Sequence, residues 1–114
     1  MGALLGKIKE RSRDIKPKKI EVPELGDGTD PLVVYMHPLT LAQRSKLMPL
    51  ISKNDMTAIA KMVVMAARDE NGDAVFDLMD EKEMARSKDT GWIIRLSQAV
   101  ADDLVDGAEE LGEN

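Results

Sequence analysis

Residues 63 to 76 constrain this chain more than any other stretch. Val63-Val64-Met65-Ala66-Ala67 is apolar, Arg68-Asp69-Glu70-Asn71-Gly72-Asp73 is polar, and Ala74-Val75-Phe76 is apolar again. An apolar helix therefore runs into a tight turn, and the chain returns at once to the same core. Asn71-Gly72 supplies the positive-φ residues for a turn that closes the helix. The turn also imitates a calcium loop, with Asp69, Asn71 and Asp73 in the first, third and fifth places and Phe76 an acceptable eighth. The match breaks at the sixth place, Ala74, where the bend needs glycine, and at the twelfth, Asp80, where a bidentate glutamate is needed. A structural turn is the better reading, and no metal or other cofactor is expected.

Composition excludes several classes. At 114 residues with no cysteine, the chain is one domain at most, without disulfides, thiolate nucleophiles or sulfur-ligated metals. One tryptophan, one tyrosine and one phenylalanine leave almost nothing on which bases could stack. The core must instead come from aliphatic residues and the eight methionines. No apolar run approaches the roughly 20 residues of a membrane span, and the N-terminus lacks the features of a secretory signal. A soluble, cytoplasmic protein is expected.

Charge sets the boundaries. Residues 1 to 19 carry seven basic and two acidic side chains, while residues 102 to 114 carry six acidic and none basic. The basic end could serve nucleic acid or an anionic lipid, and Leu4, Leu5, Ile8 and Ile15 give it a partial helical stripe. Gly2 and Gly6 weaken that stripe, and the overall charge of −5 opposes binding to a polyanion. A solvated or partly ordered arm is the favoured reading, with nucleic-acid binding not expected. The acidic, glycine-bearing tail should fray.

Between these ends the elements are legible. Lys19-Ile20-Glu21-Val22 alternates as a half-buried strand does, and Leu32-Val33-Val34-Tyr35-Met36 is a second β-rich run after the turn cluster Leu25 to Pro31. Together they predict a hairpin, with Pro23 and Pro38 confining the strands to short lengths or edges. Thr40 with Gln43 forms a capping box for a helix from Leu41, which Pro49 should end or kink within about two turns. Asn54 or Asp55 caps a helix over 55–69, Asp80 with Glu83 caps a short one to Ser87, and Asp89 or Thr90 opens the last, to about Val105. The expected fold is mainly α (α+β), a compact domain of about four helices with one small N-terminal β-hairpin. The expected layout is a basic arm over 1–17, partly disordered or a short helix, a helical domain over 18–106, and a disordered acidic tail over 107–114.

Two helices carry spare apolar surface. On the 55–69 helix, Ile59, Met62, Val63 and Ala66 share a face at about 100° per residue. Met65 lies on one flank of that face, and Val64 interrupts the polar stripe opposite. Such a helix is central, packed on several sides, or partly an interface; the central placement is favoured. On the last helix, Trp92, Leu96 and Val100 form one stripe and Ile94, Ala101 and Val105 a second. One stripe suffices to dock a terminal helix, so Ile94, Ala101 and Val105 are the first candidates for partner binding, with Val64 and Met65 behind them. Methionines suit adaptable contact surfaces, although at helical spacing they more often serve the core.

Reactive chemistry is nearly missing from the sequence. His37 beside Pro38 has no nucleophile or carboxylate poised near it, and the serines lie in no nucleophile elbow. There is no glycine-rich phosphate loop, and carboxylate pairs such as Asp102 with Asp103 read as solubilising charge. An enzyme is not expected.

The serial order of the features is more specific than any one of them. A short β element leads into Pro38-Leu39-Thr40 and a capped helix. An apolar helix rich in small residues follows and ends in Asp69-x-x-Gly72-x-x-x-Phe76, and the closing helix carries Trp92-Ile93-Ile94-Arg95-Leu96. Over residues 18 to 106 this resembles the tail assembly chaperones of long-tailed bacteriophages and their prophage remnants. The basic first 17 residues match nothing in that pattern. The resemblance implies a non-catalytic chaperone, absent from the mature virion, that binds the tape-measure protein, keeps it soluble and helps deliver tail-tube subunits. It leaves self-association open. Competing classes are a DNA-associated phage regulator, which would use the basic arm, and a structural tail or connector subunit retained in the particle.

Overall fold

The computed structural model describes the backbone of residues 2–112 and the side chains of residues 3–101. Among the described residues there are five helices and a three-stranded antiparallel sheet, a mainly helical α+β fold as expected. Helix α1 (Gly2–Asp14) precedes strands β1 (Lys18–Asp27) and β2 (Asp30–Met36). Then come α2 (Leu41–Ser52), α3 (Ala58–Ala66), the two-residue β3 (Ala67–Arg68), α4 (Leu78–Arg86) and α5 (Gly91–Gly112). No described helix is long and apolar enough to cross a membrane.

The hairpin forms where the alternation predicts it, with Lys18 opposite Met36 and Val22 opposite Leu32. The register then breaks between Val22 and Asp27, across Pro23. β1 is an edge strand, the position that tolerates a residue without an N–H. The turn is shorter than the polar cluster suggests. β1 continues to Asp27 and only Gly28 and Thr29 turn, with Gly28 at φ 59°. Gly26 has a different job: a Cβ there would overlap the Asp30 carbonyl and lie 2.6 Å from Pro31 Cα.

Thr40 caps α2 as expected. The Gln43 amide donates to Thr40 Oγ1 at 3.1 Å, and the Thr40 amide donates to Gln43 Oε1 at 2.9 Å. Pro49 does not end this helix, which runs on to Ser52. The stop comes at Asn54, in the left-handed region at φ 56°. The Asn54 amide donates to the Ile51 carbonyl at 3.0 Å and the Asp55 amide to the Leu50 carbonyl at 2.9 Å, the paired bonds of a Schellman ending. Asn54 thus closes α2, but neither it nor Asp55 caps the next helix, which begins at Ala58 and not at 55, with Thr57 in the N-cap position and no side-chain cap bond. Asp55 Oδ1 accepts from the Thr57 hydroxyl at 2.6 Å and the Thr57 amide at 3.0 Å. Those bonds, the hydroxyl first, hold its carboxyl below the usual range.

Helix α3 ends at Ala66, three residues before the expected limit of 69, because Ala67 and Arg68 turn extended and pair with Met36 and Tyr35 of β2. The turn beyond is organised by Asp69, whose Oδ1 accepts from the Asn71 and Asp73 amides at 2.8 and 3.0 Å. Gly72 has φ 85° and Asn71 no positive φ, so one residue supplies what two were expected to. The turn closes a β excursion, with Arg68 bridged to Ala74. Helix α4 begins earlier than expected because Asp77 is its cap: Asp77 Oδ1 accepts from the Asp80 amide at 2.9 Å while Asp80 Oδ2 accepts from the Asp77 amide at 2.8 Å. The Asp80 amide leads in holding the Asp77 carboxyl low. Asp80 is therefore the box's second half, with Glu83 outside it.

One core joins the sheet to the helices. Val22, Val34 and Met36 from the strands meet Leu47 of α2, Met62, Val63 and Ala66 of α3, and Leu96 and Val100 of α5. α3 packs against α2, α4, α5 and β2; it is the central helix. By contrast, every described side chain of α1 is exposed.

Candidate partner-binding site

The apolar surface concentrates around α4. On one side, the start of α3, the end of α4 and the start of α5 enclose a cleft of about 280 Å³. Met56, Ile59 and Ala60 form one wall, Met84 the floor, and Ile93 and Ile94 the other wall. Helical spacing explains the gathering. Ile59 and Ala60 follow Met56 by three and four residues, and neighbours at that distance share a face. The same side of α5 carries Ile93 for the core and Ile94 for the rim. Met56 is 71% exposed and Ile94 38% exposed, so the cleft opens to water at both lips. The lining is mainly apolar, with Thr57, Ser87 and Thr90 adding hydroxyls, and it suits an apolar side-chain ridge from a partner.

On the other side of Met84 lies a second cleft, of about 270 Å³. Leu25, Phe76 and Trp92 line it, and Asp80 and Glu83 of α4 stand on it. The two rings meet at 6.1 Å between centroids, inclined by 38°, a separation at which aromatic pairs attract. So the turn that brings Phe76 back to the core also builds this wall.

The expected binding residues divide. Ile94 lies on the first cleft. Ala101 is half-buried against the core, as are Val64 and Met65 on α3, and these three do not line the cleft. The side chain of Val105 lies outside the described residues. Sequence reasoning missed Met56, Met84 and Leu25 as site residues. Met56 falls on a flank of the expected 55–69 helix, off its main apolar face, and the structure places it in the turn before α3. Met84 falls in a helix whose acidic residues mask its apolar side. Leu25 reads as part of a turn until β1 is seen to extend past it.

Other polar groups serve the fold. The backbone N–H of His37 donates to the Ala66 carbonyl at 2.9 Å, tying the end of β2 to the end of α3. Among the described residues, no group of three or more acidic or histidine side chains could hold a metal.

No protein-family model and no curated protein matches the chain. Among solved structures, the bacteriophage HK97 tail assembly chaperone is similar, with a TM-score of 0.61 and 16% identity over 89% of this chain and 94% of that one. The two share a fold across nearly their whole lengths.

Proposed function

We propose that this chain is a phage tail assembly chaperone, acting without catalysis by binding a tape-measure protein and assisting tail-tube assembly in the host cytoplasm. The observation that carries this reading is the shared fold with the HK97 chaperone over 89% of this chain. The sequence order that resembles that family leads to the same place by a separate route. The first cleft supplies a means. A tape-measure protein is a long helical client whose apolar face needs cover before the tube forms, and a groove between helices can hold such a ridge. Ile94, Met56 and Ile59 would meet the client first. Ala101 and Val105 continue the line of Ile94 along α5 by helical spacing, with Val64 and Met65 behind on α3.

Co-expression with the tape-measure protein of the same phage or prophage tests this. The wild-type chain should co-purify with the client, and Ile94→Asp should lose it while circular dichroism and the melting midpoint stay close to wild type. Retention of the client by that variant, together with a Met56→Asp variant, would place the site elsewhere. If the wild-type chain does not capture the tape-measure protein, the chaperone reading fails. Tight DNA binding by the wild type at physiological salt would instead favour a regulator.

A further inference from the structure

Among the described residues, helix α1 is an amphipathic helix that buries none of its side chains. Leu4 is 68% exposed, Leu5 53% and Ile8 65%. At 100° per residue Leu4 and Ile8 share a line with Leu5 beside it, and Lys7 and Arg11, four residues apart, run along one edge of that stripe. The same molecule carries a cleft of the opposite character. Leu25, Phe76, Met84 and Trp92 give it an apolar lining, and Asp80 and Glu83 supply acidic groups three residues apart on α4. Groups spaced by three or four on a helix stand about 5–6 Å apart, so the two basic groups and the two acidic ones match in spacing as well as sign.

We propose that α1 of one copy docks in the Leu25–Phe76–Trp92 cleft of a second copy, with Leu4, Leu5 and Ile8 on the apolar lining and Lys7 and Arg11 facing Asp80 and Glu83. This cleft shares Met84 and Ser87 with the one assigned to the client, while Leu25, Phe76, Trp92, Asp80 and Glu83 line this one and not the other. A second copy is favoured over the chain's own helix by reach. Leu25 lies seven residues along β1 from Lys18, about 23 Å at strand rise. The three-residue link from Asp14 spans only about 14 Å when fully stretched, so the helix would have to lie back along β1 with the link taut. The matched charge spacing favours a protein surface over a lipid one, which offers no fixed acidic pair.

Light scattering at low ionic strength, on the full chain at about 100 µM, tests the docking, because a contact this small implies at best micromolar affinity. The wild type should show a mass of at least twice 12.6 kDa. Arg11→Glu alone and Glu83→Arg alone should each weaken association about tenfold or more, with helix content unchanged by circular dichroism. Mixing those two variants should restore it, because each then meets an opposite charge at both contacts. A monomeric wild type would overturn the proposal, as would a monomer in which the charge changes couple within one chain. Failure of the mixture to recover would also overturn it. If Leu4→Asp with Ile8→Asp leaves the mass unchanged and abolishes binding to phosphatidylglycerol vesicles, the helix serves a lipid surface and the docking is wrong.

Discussion

Arg95 on α5 grips Glu24 of β1 with both arms of its guanidinium. Nη1 donates to Oε2 at 3.0 Å and Nη2 to Oε1 at 2.9 Å. A further bond from Nη2 reaches the Glu21 carbonyl at 3.4 Å. Glu24 falls in the stretch where β1 loses its register, so the last helix holds the irregular edge of the sheet where ladder bonds do not.

That grip sets the acid behaviour of Glu24. The Arg95 side chain, foremost among its neighbours, lowers the Glu24 carboxyl from 4.5 to about 2. A carboxylate depressed on folding stabilises the native state fully above its unfolded value, and the contribution is lost as pH falls through the folded one. The native pair should therefore stay ionised until the pH approaches 2, while the stability it adds is full above about 4.5 and shrinks as the pH falls from there toward 2. The side chains are 43% and 33% exposed, so salt should weaken the effect. Carbon-detected NMR titration of the Glu24 carboxyl checks it: a low midpoint in the wild type, returning toward the ordinary value in Arg95→Gln. An unchanged midpoint in the variant would mean that Arg95 is not the cause.

Two leucines on neighbouring parts of the fold should respond oppositely to truncation. Leu96 is completely buried and Leu41 is 83% exposed. Leu96→Ala leaves a cavity in the joint between α5, α3 and the sheet and should cost about 2–5 kcal/mol. Leu41→Ala should stay within about 0.5 kcal/mol of wild type. Urea unfolding of both variants measures the contrast, and equal losses would mean that the first turn of α2 is covered in solution.

The hydrophobic periodicity made the helices and the hairpin legible because it reports the same burial that the core enforces. Thr40 with Gln43 was readable because that pair has the usual chemistry of a capping box. Asp77 with Asp80 was not, since two aspartates make the same reciprocal bonds with a shorter second arm. β3 escaped notice for a related reason. Ala67 and Arg68 have the composition of a helix end, and only pairing with Tyr35 and Met36 draws them out as strand. Of the candidate site, Ile94 could be found from its stripe. Met56, Met84 and Leu25 could not, because the clefts arise where three elements meet and no single periodicity encodes that meeting.

Asn54 offers a test of backbone conformation without loss of a core contact. Its φ of 56° costs an ordinary L-residue about 1–2 kcal/mol, and asparagine tolerates it better than most. Asn54→Gly should be neutral or slightly stabilising, while Asn54→Val should destabilise by about 1–2 kcal/mol. Thermal unfolding of the two variants should move their midpoints apart, by roughly 4–8 °C per kcal/mol for a domain of this class. If valine is tolerated as well as glycine, α2 does not end in the left-handed conformation.

The same logic separates a structural from a metal-binding Asp69. Its Oδ1 already accepts two amides of its own turn, from Asn71 and Asp73, and the Asp69 amide donates to the Asp73 carbonyl at 2.8 Å. Removing the carboxylate should leave those amides without their acceptor and cost about 1–2 kcal/mol. Asp69→Ala should therefore lower the melting midpoint, and Asp69→Asn, which keeps an acceptor oxygen, should lower it less. Millimolar calcium should leave the wild-type midpoint where it is, since the loop lacks glycine at the sixth place and glutamate at the twelfth. A calcium-dependent rise in the midpoint that disappears in Asp69→Asn would show instead that the carboxylate binds the ion, and the internal bonds would then describe only the empty loop.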